Sequence, residues 1–421
     1  MLSHARPRRL RVPARVARAT ALFTLAWSLA AWAFAAPADW PQFRGPTGQG
    51  IAVGTAPPLQ WSESRNITWK APVPGKGWSS PVVAGDQIWL TTATESGRSL
   101  RAVALDLATG SILHDVELFR YERPPPIQPK NSHASPTPII ESDRVYVHFG
   151  ALGTAALTRD GEMVWKTTAL KYEPGHGSGG SPVLWGDLLI ISCDGIDRQF
   201  VVALDKSTGE IRWQTDRRGA QMAFSTPLVI EAGGRTQVVS PGAIRAISYD
   251  AATGKQLWSI RYGGFSNVPR PVFGHGLVYV SSGFYDPVFY AVRPDGNGDV
   301  TDSHVEWTYA RGVPLTPSAL LVGDEIYFVS DNGIATCLDA KTGQEHWRSR
   351  LNGTFSASPV FAGGRIYFLD ENGQTTVVKP GTAFEELAMN EIDGRTLASI
   401  AVIGKTILLR SETHLYRIEE K

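Results

Sequence analysis

One phrase recurs along this chain and limits what it can fold into. Ala203-Leu204-Asp205-Lys206-Ser207-Thr208-Gly209-Glu210-Ile211-Arg212-Trp213 returns as Tyr249-Asp250-Ala251-Ala252-Thr253-Gly254-Lys255-Gln256-Leu257-Trp258. It returns again as Cys337-Leu338-Asp339-Ala340-Lys341-Thr342-Gly343-Gln344-Glu345-His346-Trp347, and in shorter form as Arg159-Asp160-Gly161-Glu162-Met163-Val164-Trp165. In each copy Trp follows Gly at the same distance. A period of about 45 residues, with short apolar runs between turns, belongs to a solenoid or a propeller.

The repeat around Gly209 reads as four strands. Ser181 to Trp185, Leu188 to Cys193, Phe200 to Leu204 and Glu210 to Thr215 are apolar or alternating runs, separated by Gly186-Asp187, a polar loop and the Thr-Gly turn. Four antiparallel strands per repeat make one propeller blade. First strands open at Ser80-Pro81, Thr137-Pro138, Ser181-Pro182, Thr226-Pro227, Arg270-Pro271, Ser318-Ala319, Ser358-Pro359 and Ser399-Ile400. Proline at the start of a strand forfeits no ladder bond. The expected fold is therefore all-β, an eight-bladed β-propeller of four-stranded antiparallel blades.

The eighth blade runs out of chain after Thr413 to Ile418, one strand short. Asn66-Ile67-Thr68-Trp69-Lys70 is an orphan strand ahead of blade one, and it is expected to close the ring, since closure removes exposed sheet edges. The Trp slots are then filled by Trp69, His114, Trp165, Trp213, Trp258, Trp307, Trp347 and Glu385. The Thr-Gly turn reverses the backbone tightly and lets Trp lie between blades. At roughly 200 Å² per buried indole and about 25 cal/mol per Å², each Trp contributes at most about 5 kcal/mol.

The repeated Ala-x-Asp-x-x-Thr-Gly-x-x-x-Trp resembles the tryptophan-docking motif of the pyrroloquinoline-quinone-type (PQQ-like) β-propeller family. The resemblance runs from about Ile67 to Ile418. That family includes quinoprotein dehydrogenases, the propeller lipoprotein of the outer-membrane β-barrel assembly machinery, and secreted or periplasmic propellers. The opening Asp39-Trp40-Pro41-Gln42-Phe43-Arg44-Gly45-Pro46 looks like the third group. The dehydrogenase likeness implies pyrroloquinoline quinone and Ca²⁺ in the channel, usually against a vicinal disulfide; Cys193 and Cys337 lie in different repeats. The lipoprotein likeness implies a lipid-anchor cysteine, and none stands near the N-terminus.

Arg6, Arg8, Arg9, Arg11, Arg15 and Arg18 precede an apolar run from Thr20 to Ala33 and the small-x-small Ala33-Phe34-Ala35. Residues 1–35 read as a secretory signal peptide, 36–65 as an N-terminal extension and 66–421 as one propeller domain. Export to the periplasm or the exterior follows, with no stable membrane span after cleavage; Arg8-Arg9 leaves the twin-arginine route open. Removing six arginines and no acid takes the formal net charge from +1 to −5. That argues against nucleic acid or an anionic membrane as the main partner.

Chain direction separates the two faces. The short A–B and C–D turns share one face; the loops into strand A and the B–C loops share the other, called upper here. The upper loops bring His133, His176, Asp194, Arg270, Asp331 and Arg395 to the channel rim as a candidate ligand-binding set, although Asp-Gly and Asn-Gly also serve as plain turns. Asp295, Asn297, Asp299 and Glu306 have calcium-loop spacing, but Val300 stands where that loop needs glycine, so an extended polar turn is the simpler reading. No catalytic triad spacing is legible. The expected function is binding of a protein or cell-envelope ligand without catalysis. A quinone- and calcium-dependent oxidoreductase is the alternative, and polysaccharide or peptide binding is a third.

Overall fold

The structure, a computed structural model, describes residues 39–420 apart from 218 and 220; the expected signal peptide lies outside the described residues. Among the described residues eight sheets each carry the expected four antiparallel strands, blade eight completed by a strand from ahead of blade one, and blades four and seven each gain a fifth, parallel strand. Blade three, for example, is Val183–Trp185, Leu188–Asp194, Gln199–Asp205 and Ile211–Asp216. The second and third strands are almost wholly buried, while the outermost carries only half-buried and exposed residues, with Trp213 and Thr215 the half-buried ones.

The ring closes as the orphan strand predicted. Ile67–Pro72 pairs antiparallel with His414–Ile418 of blade eight. Trp69 then packs against Gly110 of blade one and donates its indole N–H to the carbonyl of Leu107 at 3.1 Å.

The same contact repeats around the ring. The indoles of Trp165, Trp213 and Trp307 donate to the carbonyls of Lys206, Ala251 and Ala340, each in the next blade's C–D turn. A buried indole N–H needs such a partner. The motif glycine has two duties there. Gly209 has φ +77°, and a Cβ on it would lie 2.5 Å from the Trp165 ring. The glycine of one phrase therefore seats the tryptophan of the phrase before it.

The three irregular slots have local causes. His114 stacks on Trp89 at 6.0 Å and faces Gly161, the glycine of blade two's shortened turn. Glu385 precedes blade eight, whose third and fourth strands are not joined by a turn; it pairs with Lys379 at 2.8 Å. Trp258 faces blade five, where residues 295–304 replace the usual turn, and it donates instead to Gln237 Oε1 at 2.7 Å.

That replacement segment does not assemble a calcium shell. Gly298–Asp299 pairs parallel with Trp258–Ser259, adding a fifth strand to blade four. Val300 is 2% exposed and packs in the core between blades four and five. An apolar residue is needed there, which is why the loop lacks the glycine. Asp295 lies beside Arg293 and His304, Asn297 accepts from Arg235, Asp299 pairs with Arg261, and Glu306 pairs with Arg293. Among the described residues, no group of three or more His, Cys, Asp or Glu is placed to hold a metal ion.

Residues ahead of the closing strand form a strap across the face of the A–B turns. Trp40 bridges Val83 of blade one, and Ile51–Ala52 pairs parallel with Phe361–Ala362 of blade seven. Ala56 N–H then meets Gly404 of blade eight, and Trp61 N–H meets Asn390 Oδ1 on the outer strand of blade seven. Between its first two anchors the strap enters the channel, carrying Phe43 and Arg44.

Candidate functional site: the funnel above Phe43

With the strap filling one end of the channel, the opposite end is a funnel of 570 Å³. Phe43 is part of its floor. Around it stand Ser80, Thr137, Ser181, Thr226, Ser318, Ser358 and Ser399, the residues that open strand A in seven of the eight blades. They are also rivets between blades. Ser80 N–H donates to Thr137 Oγ1 at 3.0 Å, Thr137 N–H to Ser181 Oγ at 2.9 Å, and Ser181 N–H to Thr226 Oγ1 at 2.9 Å. The pattern resumes from Arg270 to Ser318, Ser318 to Ser358 and Ser358 to Ser399. Each of these hydroxyls uses a lone pair on the neighbouring blade. Among the described residues none of the six accepting hydroxyls donates to a protein acceptor, so the floor presents O–H donors to whatever enters.

One wall is aromatic. His176 stacks on Phe224 at 5.9 Å and 18°, meets Phe265 edge-on at 6.4 Å, and Phe265 stacks on Tyr285 at 5.6 Å. Tyr285 is 74% exposed. Tyr285 and Asp286 both hold positive φ, +66° and +52°. Two consecutive left-handed residues other than glycine are costly, and such strain concentrates where a side chain must be presented.

The opposite rim is charged. Glu371, on the B–C loop of blade seven, lies 2.6 Å from Lys130 Nζ and 3.3 Å from Arg395 Nη2, and it accepts from Ser356 Oγ at 2.7 Å. Burial pushes this carboxyl up, but Lys130, Ser356 and Arg395 together outweigh it and hold the group below its ordinary value. Arg395 also lies over the Trp78 ring, whose indole N–H donates to Lys130 O.

The six residues singled out from the sequence are dispersed. His176 and Asp331 line the funnel. Asp331 Oδ2 accepts from Leu315 N–H at 2.8 Å and Thr316 N–H at 3.1 Å, so it orders the loop into blade six. Arg395 reaches the rim through Trp78. His133 instead occupies a separate groove beside Glu95 and Gly97, with Nε2 against Pro125 O at 2.9 Å. Asp194 is buried and grips Arg217 with both oxygens. Burial, opposed by Arg217, pushes its carboxyl up to about 6. Arg270 is buried in the channel, donating to Phe43 O and Gly48 O at 2.9 Å and to Pro227 O at 3.2 Å.

Sequence reasoning passed over the hydroxyl ring, Phe43, Lys130 and Glu371. The ring was legible: Ser or Thr opens strand A in seven blades, beside the proline that drew attention. Phe43 lies outside the repeat, and nothing local to it reveals that the strap enters the channel. The funnel combines hydroxyl donors below, aromatic faces on one side and a compensated charge cluster on the other.

The family model of the outer membrane protein assembly factor BamB matches residues 51–196, 197–322 and 302–397. The chain belongs to this PQQ-like family. Among solved structures, BamB from Moraxella catarrhalis superposes with a TM-score of 0.60 at 15% identity, covering 84% of this chain and 99% of that one. Quinohemoprotein alcohol dehydrogenase from Comamonas testosteroni superposes with a TM-score of 0.66 at 11% identity, covering 91% and 81%. Both likenesses show the shared propeller fold alone. Tetrathionate hydrolase from Acidithiobacillus ferrooxidans is 22% identical over 255 residues, 52% of this chain. The match spans about half of that curated relative, 48% of its length. In this chain the funnel face is the one opposite the Thr-Gly turns.

Proposed function

We propose that the chain is an exported propeller that binds a protein or cell-envelope ligand in the upper funnel and performs no chemistry on it. One observation carries this reading: an aromatic arc leads from the exposed, strained Tyr285 past Phe265 and His176 to Phe224, beside a floor of hydroxyl donors. Concave sites that mix apolar faces with a few directed polar groups are the usual form of a binding pocket. Membership of a family described by an assembly factor supports a protein partner. Among the described residues no helix is long and apolar enough to cross a membrane.

The quinone-calcium reading finds a donor set that does not fit. Asp331 is the carboxylate that lines the funnel, and two backbone N–H groups occupy one of its oxygens. Glu371 is already shared by two cations and a hydroxyl. Cys193 and Cys337 are buried and unpaired.

A photo-crosslinking residue at position 224, in cells producing the full chain, tests the proposal. A discrete adduct that weakens with Tyr285→Ala or His176→Ala supports it. Stoichiometric uptake of pyrroloquinoline quinone with Ca²⁺, followed by dye-linked turnover, would replace it with the oxidoreductase.

A further inference from the structure

Two neighbouring guanidinium groups, from the strap and from blade five, are buried inside the channel without a counter-charge among the described residues. Arg44 is 1% exposed and Arg270 is 4% exposed. Among the described residues neither lies within ion-pair distance of a carboxylate. Arg44 Nη2 donates to Gln49 O at 2.9 Å and Ala319 O at 2.7 Å; Arg270 meets the carbonyls of Phe43, Gly48 and Pro227. Carbonyl dipoles satisfy some donors but do not cancel the charge, and an uncompensated buried charge is strongly unfavourable.

The unmet groups in this turn are all donors. Arg44 Nε and Nη1 are buried with no hydrogen-bond partner, and so is the indole N–H of Trp40. Trp40 packs on Gly45, directly after Arg44. The turn is held tightly: Gly48 N–H donates to Gly45 O, and Gly50 N–H to Arg44 O. Arg410 is likewise buried, with no carboxylate within ion-pair distance among the described residues and with Nε and Nη2 unpartnered, but its Nη1 ties blade eight to blade one through Ser79 and Thr91, and no second arginine is paired with it as Arg270 is with Arg44.

We propose that Arg44, with Arg270 beside it, binds a small monovalent inorganic anion of halide size in the strap-filled half of the channel. The anion supplies the acceptor that Arg44 lacks and neutralises charge from which no carboxylate is within reach. Burial and then the field of Arg270 drag the Arg44 guanidinium down to about 9, and burial alone does the same to Arg270, which fits two cations held short of an anion. Because Phe43 precedes Arg44 and its carbonyl is held by Arg270, the bound anion also fixes the funnel floor. The site is built from the strap and Arg270 of blade five and does not depend on what the funnel binds.

Thermal unfolding of the whole exported chain tests this at constant ionic strength in chloride, bromide, sulfate or gluconate. Chloride and bromide are expected to raise the midpoint by about 2–3 °C over gluconate, saturably, once their concentration exceeds the dissociation constant about tenfold. The Arg44→Gln variant is expected to lose that dependence. Should it not fold, crystals of the unaltered protein soaked in bromide give the second readout, an anomalous peak beside Arg44. A peak beside Arg410 alone, a shift with sulfate alone, or equal midpoints in all four salts with no peak beside Arg44 would overturn the proposal.

Discussion

Lys130 Nζ lies 2.6 Å from Glu371 Oε1, joining the loop into blade two to the B–C loop of blade seven. The bond spans the two blades between which the chain closes its ring, so it is a clasp over the closure point. Lys130 is 43% exposed at its side chain and Glu371 11%. With solvent screening the lysine, a double-mutant cycle of Lys130→Ala and Glu371→Ala is expected to return a coupling of about 1 kcal/mol or less. Glu371→Ala alone should cost more than Lys130→Ala, because it also strands Arg395 and Ser356. Urea denaturation of the four proteins measures both.

The Trp165–Gly209 contact predicts an asymmetry. Gly209→Ala forces a side chain into a left-handed backbone and against the indole, so a loss of about 2–4 kcal/mol is expected. An alanine at the exposed Glu210 beside it is expected to change stability by less than about 0.5 kcal/mol. Chemical denaturation followed by tryptophan fluorescence distinguishes the two.

The rivets between blades predict sensitivity to the hydroxyl rather than to size. Thr137→Val keeps the shape but leaves the buried Ser80 N–H without its acceptor, at a cost of about 1–3 kcal/mol. Thr137→Ser keeps the acceptor and is expected to lose less than half as much. Hydrogen exchange at the Ser80 amide reports the lost bond directly.

His148 predicts the acid limb of stability. It is 1% exposed, with Nδ1 2.8 Å from Thr154 Oγ1, and burial pulls it down to about 3. The unfolded chain takes up a proton near pH 6.5 that the folded chain refuses until about pH 3. Between those limits the unfolded state binds more protons, so stability rises with pH by about 1.4 kcal/mol per unit from this residue and is lost as pH falls. His148→Gln should flatten that slope in denaturation midpoints taken from pH 7 to pH 4.

How much of the site was legible depended on how local its cause is. The turns, the Trp slots and the closing strand follow from a short phrase and its period, and each appears where the phrase puts it. The candidate site residues depended on loop direction, which spacing does not encode. Asp194 was expected in a B–C loop like Asp331, yet it ends the second strand of blade three, where buried Arg217, just past the blade's last strand, captures it. Arg270 occupies the position of a rivet hydroxyl and instead reaches the carbonyls of Phe43 and Gly48 on the strap and of Pro227 in blade four.

By itself the sequence determined the blade count, the register and the ring closure, because backbone pairing and glycine-seated indoles are nearest-neighbour effects repeated every blade. Only the tertiary structure decided that residues 40–52 fill one end of the channel, that Phe43 becomes a floor, and that Lys130 meets Glu371. Those contacts join segments hundreds of residues apart, and their energies come from burial and charge compensation that exist only once the ring has closed.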